Sequence, residues 1–324
     1  MQKTHRLTSG ERDRIALWYS RKFSIRRIAK KLGRNPSTIS REIRRNRYGN
    51  HYVAIHAQNK SKARKVKAGK RQPLKDSMIY SYVMSGLRKG WSPEQISGRL
   101  SLDFPDKSIH WETIYRYVHC DEGKKKMLYE YLPRKHRKRS KKYGRKVSRS
   151  RIPDRVSIHK RPTEIENREV FGHWEGDSVV GKWHKSGLHT EVERKTRYLK
   201  AQLIKNFTAK ETVKAQKRMF HALPKQAKKS TTVDNGVEFT NHKKFNLPVF
   251  FCDPYASWQK ATNENTNGLI RRYLPKKTDF RTIKQQDLDD IVEEINNRPR
   301  KCLSYKTPSE VFNKELGVAI GMRM

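Results

Sequence analysis

Seventy-five Lys and Arg against 32 Asp and Glu leave this 324-residue chain with a formal charge of +43. A small domain carries a net charge of roughly 2–8 for solubility, so this excess repels itself unless a polyanion is present. Nucleic acid is the commonest polyanion, because Lys and Arg neutralise phosphates and release condensed counterions. An anionic membrane is the rival partner. No stretch approaches the ~20 apolar residues of a membrane span, and no basic amphipathic helix with a broad apolar face stands out. The segment Met1 to Gly10 is polar and has no apolar signal region. The expectation is a cytoplasmic, nucleoid-associated protein without a membrane partner.

Hydrophobic residues make up 34% of the chain. That suits small modules and one medium core better than a single large one, and the length suggests two or three domains. Cys120, Cys252 and Cys302 are widely spaced and odd in number. They form neither a disulfide framework nor a zinc-ligand pair. Two basic stretches punctuate the chain. Lys60 to Arg71 holds seven Lys or Arg and no acid, and Lys124 to Arg161 holds seventeen against two acids. Like charges in blocks stay open until a partner neutralises them, so both read as linkers that touch a DNA backbone.

Before the first basic stretch the pattern is helical. Thr8 and Glu11 make a capping box. Ser24 starts a second helix, with Ile25, Ile28, Ala29 and Leu32 on one face, and Gly33 ends it. Asn35 and Pro36 start a third, carrying Ile39 and Ile43 inward. Two short helices around a tight Gly-containing turn are a helix-turn-helix signature. Ser37, Thr38, Ser40, Arg41 and Arg44 lie on the outer face of the third helix, where they can reach base edges and phosphates in a major groove. Between the basic stretches a similar unit recurs. Tyr80, Val83, Met84 and Leu87 share one helix face, Ser92-Pro93-Glu94-Gln95 starts a helix, and Ser108 precedes another bearing Ile114 and Val118. This second unit reads equally as a helix-turn-helix and as a helical spacer or dimerisation unit.

After Arg161 the texture turns to strand and helix. Strands are expected at Phe171 to Gly181, Leu188 to Glu193, Tyr198 to Ile204, Thr231 to Asp234 and Val249 to Cys252. Helices are expected from Thr208 to Leu223, Gln259 to Tyr273 and Asp287 to Asn297, with a last one capped at Thr307. That order gives a mixed α/β layer. The predicted organisation is a helix-turn-helix domain over 1–50, a basic linker over 51–75 and a second helix-turn-helix-like domain over 76–120. A basic linker over 121–162, an α/β core over 163–280 and a helical extension over 281–324 complete it.

Phosphodiester cleavage puts negative charge on the attacking and leaving oxygens. Two divalent ions can stabilise both ends of the displacement. Mg²⁺ takes hard oxygen ligands, so acids at strand and helix ends are the candidates. Asp177 interrupts an apolar strand, Asp234 follows a short strand at a turn, and Glu264 lies early in the helix after the last strand. Arg271 follows Glu264 by two turns on the same helix face. Each acid has an ordinary alternative. Asp-Asn-Gly is a common turn, Glu suits a helix N-terminus, and Glu175 shares a strand face with Asp177.

Several ordered segments resemble one family over nearly the whole length. They include Ser24 to Asn46, Gly90 to Leu100 (G-W-S-P-E-Q-I-S-G-R-L), Phe171 to Gly181 and Val192 to Tyr198 (V-E-R-K-T-R-Y). They continue with Asp234 to Phe239, Asp253 to Phe280 (containing T-N-E-N-T-N-G-L-I-R-R-Y), Asn296 to Lys301 and Thr307-Pro308. The chain is similar in these to insertion-sequence-30 family transposases of bacteria. The resemblance implies all-α helix-turn-helix N-terminal modules followed by an α/β ribonuclease H-like catalytic core with an Asp-Asp-Glu triad. The triad maps onto Asp177, Asp234 and Glu264, and the following basic residue onto Arg271. It implies two Mg²⁺ ions, with Mn²⁺ as a substitute, and no nucleotide cofactor. The implied partners are double-stranded DNA, as terminal inverted repeats and as target, and further copies of the chain in a homodimer or larger assembly. The implied activity is cleavage of element ends and joining of the 3′ hydroxyl to target DNA. A DNA-binding regulator with an inactive core and a nuclease without strand transfer are the alternatives. The chain departs from the family pattern twice. The 29 residues between Asp234 and Glu264 are a few short, and Lys260-Ala261 stands where a Gly is usual before Thr-Asn-Glu.

Overall fold

A computed structural model describes residues 6–49, 51–69, 74, 77–132, 152–254 and 256–317. The chain divides into two compact units, Met1–Pro73 and Leu74–Met324.

The first unit is helical: α1 (Ser9–Ser20), α2 (Ile25–Leu32), α3 (Pro36–Asn46) and α4 (Ala54–Gly69). Its ends follow local chemistry. Thr8 and Glu11 cap α1 reciprocally, Ser24 Oγ accepts from Arg27 N, and Asn35 Oδ1 accepts from Ser37 N with Pro36 at the first position of α3. Gly33 takes the left-handed conformation that ends α2, at φ 62°. Ile15, Ile28, Ala29, Ile39, Ile43, Tyr52 and Ala57 form the core. Buried Arg12 joins three of the helices. Its Nε lies 2.7 Å from Glu42 Oε1 on α3, and its Nη1 donates to Gln58 Oε1 on α4 at 2.8 Å. Most of the stretch expected as an open basic linker over 51–75 is therefore α4. One face of that helix carries Ala57 and Gln58 inward, while Lys62, Arg64 and Lys65 stay exposed. Charge density marked it as open, but a helix needs only one inward stripe to dock.

The second unit begins with α5 (Ser77–Arg88), α6 (Pro93–Asp103), α7 (Trp111–His119) and α8 (Asp121–Lys125) around Ile79, Val83, Leu87, Ile96, Leu100, Ile114 and Val118. Ser92 and Gln95 form the expected capping box. The cap of α7 is His110, whose Nδ1 accepts from Glu112 N, rather than Ser108. A six-stranded sheet follows: β1 (Val156–Ser157), β2 (His173–Val180), β3 (Gly187–Glu193), β4 (Leu199–Ile204), β5 (Ser230–Val233) and β6 (Val249–Phe251), in the order β1-β6-β5-β2-β3-β4. β2, β3 and β4 are antiparallel, while β5 runs parallel to β2, and β6 to β5. Three antiparallel strands continued by parallel ones are the layout expected of a ribonuclease H-like core.

β1 pairs with β6 at the sheet edge, inside the range 121–162 expected as linker. Two residues carry no periodicity, so only the pairing reveals them. Residues 133–151 of that range lie outside the described residues.

One sheet face packs on α9 (Ala209–Phe220) and α12 (Pro308–Glu315) through Trp174, Val213, Phe220, Val233, Phe251 and Phe312. The other packs on α10 (Ala261–Tyr273) and α11 (Gln285–Asn296) through Val179, Leu188, Val192, Ile270, Leu288 and Ile295. Side chains alternate across a strand, which is why Trp174 and Val179 of β2 serve opposite faces. The helical module docks on the C-terminal segment within this unit. Arg99 on α6 makes a two-pronged pair with Glu310 on α12 at 2.7 Å each, and Gln95 Nε2 donates to Pro299 O at 2.6 Å. No described helix is long and apolar enough to cross a membrane.

Candidate active site and nucleic-acid interface

Strand register brings the two aspartates together. β2 and β5 are parallel, with Trp174 opposite Thr231 and Glu175 opposite Thr232. Continuing that register by two residues sets Asp177 opposite Asp234, one step past the end of β5. Neighbouring strands lie about 4.8 Å apart. Two carboxylates at this spacing repel one another, so the arrangement needs a cation or a proton.

Lys260 supplies the cation. Its Nζ lies 3.1 Å from Asp177 Oδ1 and 3.2 Å from Asp234 Oδ2, and donates to Gly176 O at 3.2 Å. The residue is only 7% exposed. Burial pushes its ammonium toward the neutral form, but the charges of Asp177 and Asp234 outweigh this and hold its pKa above the usual lysine value. Asn267 Nδ2 donates to the other oxygen of Asp177 at 2.8 Å. The Asp234 side chain accepts from Gly236 N at 3.1 Å, and Asn235 Nδ2 ties the turn to Cys252 O at 2.7 Å.

Glu175, on the same strand face as Asp177, is fully buried. Arg194 Nη1 donates to it at 2.5 Å, and the Asn263 backbone N–H donates to its other oxygen at 3.0 Å. Asn263 Nδ2 also donates to the Glu175 carbonyl at 2.5 Å. Glu175 therefore anchors the start of α10 to β2 and is not free for chemistry. A third acid stands near the pair. Burial raises the Glu238 carboxyl above the usual range, and the negative charges of Asp234 and Asp177 add to this.

Glu264 is exposed on α10. Among the described residues no three His, Cys, Asp or Glu side chains gather closely enough to hold a metal ion. The structure thus unites Asp177 and Asp234 and leaves Glu264 outside their cluster. Glu264 still sits one turn from Lys260 and from Asn267, both of which reach Asp177. Arg271, a turn beyond Asn267, donates through Nη2 to Val180 O at 2.6 Å and through Nη1 to Pro275 O at 3.3 Å. It braces α10 against the end of β2. The roles of Lys260, Asn263 and Asn267 went unread in the sequence. The signal lay in the spacing 260, 264, 267, 271, one stripe of a helix.

In the first unit, Ser37, Ser40, Arg41 and Arg44 on α3 are exposed and Thr38 is half-buried. The Arg41 guanidinium folds onto its own helix, with Nε donating to Ser37 O at 3.1 Å and Nη2 to Ser37 Oγ at 3.0 Å. These side chains form one outward face opposite Ile39 and Ile43.

A helix-turn-helix domain profile matches residues 3–46, which covers α1 to α3. The chain is 41% identical over 333 residues to the transposase InsI for insertion sequence element IS30A of Escherichia coli, covering 97% of this chain and 84% of that one. It is 35% identical to the transposase for insertion sequence element IS1086 of Cupriavidus metallidurans, over 97% of this chain and 96% of the other. Among solved structures, the catalytic core domain of BIV integrase aligns at 18% identity and a TM-score of 0.36, over 45% of this chain and 96% of that one. Identity of this extent, end to end, places the chain in the insertion-sequence-30 family of transposases.

Proposed function

We propose that this chain binds the terminal inverted repeats of an insertion sequence through α1–α3, cleaves the element ends and joins the freed 3′ hydroxyl to target DNA. The observation that carries this reading is the convergence of Asp177 and Asp234, from separate strands, on a single cation. The pair suits a divalent ion. Its donors are hard carboxylate oxygens, and Lys260 demonstrates that a positive charge fits between them. Asp177 and Asp234 would hold Mg²⁺, or Mn²⁺ in its place, from the sheet side, and Glu264 from α10. A bound metal pair supplies positive charge to the attacking and leaving oxygens of an in-line displacement.

The chain's own residues do the rest. Asn267 fixes one Asp177 oxygen, leaving the other to Lys260. The Asp234 turn is locked by its own backbone and by Cys252. Glu175 and Arg194 set the position of α10 and so of Glu264. The net charge of +43 and the exposed cations of α3 and α4 suit the neutralisation of DNA phosphates. Two element ends call for at least two copies of the chain.

Asp177→Asn tests this assignment. It removes one charge and keeps the shape. Mg²⁺-dependent strand cleavage of an end-containing duplex is expected to fall by at least a hundredfold, with DNA binding retained. Cleavage that persists in this variant overturns the site. One observation favours a second reading, a DNA-binding regulator with an inert core: Glu264 stands outside the Asp177–Asp234 cluster. Absence of metal-dependent nicking in the unmutated protein, with end-specific binding intact, would establish that reading instead.

A further inference from the structure

Lys260 occupies an expensive position. An ammonium is buried to 7% exposure beside the first turn of α10, where the helix dipole disfavours a cation. Helix stability gives no reason for it. The reason is on the sheet, where two carboxylates held side by side by strand register require positive charge between them. Lys260 Nζ stands at 3.1 and 3.2 Å from the oxygens that face one another. A Mg²⁺ ion binds such oxygens at about 2.0–2.1 Å. Ion and ammonium then contest one small space with like charge, and both cannot remain.

We propose that Lys260 is the resident counter-cation of the Asp177–Asp234 pair, holding the site assembled before metal arrives and leaving it when metal binds. This rests on the reading of that pair as the metal site. The carboxylate pair is open to solvent on one side, where the Asp234 side chain is 46% exposed. Withdrawal of the lysine also vacates the surface one helical turn from Glu264, so the space for the third carboxylate opens as the metal enters. The displaced ammonium stays on the rim of the site, where a DNA phosphate is its natural new partner.

The test uses the full chain, freed of metal. Lys260 acetylation by a small amine-reactive reagent is followed by mass spectrometry, with and without saturating Mn²⁺. Protection without metal and a rise of about tenfold with Mn²⁺ are expected. In parallel, Mn²⁺ affinity is measured by calorimetry for the unmutated chain, Lys260→Gln and Asp177→Asn. Lys260→Gln is expected to bind Mn²⁺ about tenfold more tightly, because no charge must be displaced, and to melt at lower temperature without metal. Equal affinity in Lys260→Gln, with Lys260 still protected in Mn²⁺ and binding still dependent on Asp177, overturns the counter-cation role and leaves the metal site standing. Mn²⁺ binding indifferent to Asp177→Asn overturns the site itself, and the proposal with it. If Lys260→Gln does not fold, the acetylation of the unmutated chain decides alone.

Discussion

The Glu175 carboxylate accepts the backbone N–H of Asn263 at 3.0 Å, an interaction that joins the middle of β2 to the first turn of α10. α10 has no capping side chain of its own, since the Lys260 ammonium at its N-terminus only donates and is committed to the aspartates. Glu175 performs the capping task from the sheet face beneath the helix, with Arg194 as its buried counter-ion. Replacing Glu175 with Ala leaves a buried guanidinium unpaired and a helix start uncapped. Removing one partner of a buried pair costs about 3–5 kcal/mol. Thermal unfolding is expected to show a destabilisation of this order, and strand cleavage to fall while end binding by the first unit persists. An unchanged melting temperature would contradict the anchoring role.

The outer face of α3 carries a second prediction. Arg41→Ala and Arg44→Ala each remove an exposed cation without touching Ile39 or Ile43. A phosphate-contacting residue weakens binding evenly across sequences and lowers the salt slope by about one, whereas a base-reading residue relaxes specificity at a cost of about 1–3 kcal/mol. Binding titrations over a salt series, on inverted-repeat and scrambled duplexes, assign each arginine to one class. No loss of affinity in either variant would remove α3 from the interface.

Arg99 and Glu310 supply a third. Their two 2.7 Å contacts join α6 to α12 across the second unit, and the Glu310 carboxyl sits below its usual range although burial opposes this. Arg99 also meets Asp103 at 2.9 Å. The planar fork matches a carboxylate, so the pair is stronger than a mobile surface contact. A double-mutant cycle of Arg99→Ala and Glu310→Ala is expected to give a coupling of about 1 kcal/mol. Zero coupling would mean that this pair does not help to hold the helical module on α12.

His173 gives the fold a pH dependence. It is buried at the start of β2 beside Ser230, with its ring and the Ser230 hydroxyl 2.8 Å apart, and burial brings its pKa down to about 4 from 6.5. The unfolded chain therefore binds the proton first as pH falls, and stability declines from pH 6.5 toward pH 4. From pH 6.5 to about pH 5 the loss amounts to ~2 kcal/mol from this residue. Urea unfolding at a series of pH values should show that slope, and His173→Asn should flatten it.

How much of this was legible in advance differs by element. α1 to α3 could be read almost to the residue, because Thr8, Glu11, Ser24, Gly33, Asn35 and Pro36 each fix a helix end through bonds to neighbours in the chain. The five core strands β2 to β6 could be placed because apolar residues in them are bounded by turns. α4 was hidden by its charge, since its docking face is only a few residues wide. β1 was hidden by its length, because a strand of two residues exists only through its partner.

At the site, residue types and order in the sequence determined that Asp177, Asp234 and Glu264 were the acids to examine, since their positions at strand and helix ends are local facts. Tertiary structure alone decided which of them meet. The parallel register of β2 on β5 joins the two aspartates across 56 intervening positions, places Lys260 between them and gives Glu175 a structural task. Register and helix docking are set by the sum of contacts over a whole sheet and its covering helices, and no window of sequence contains that sum.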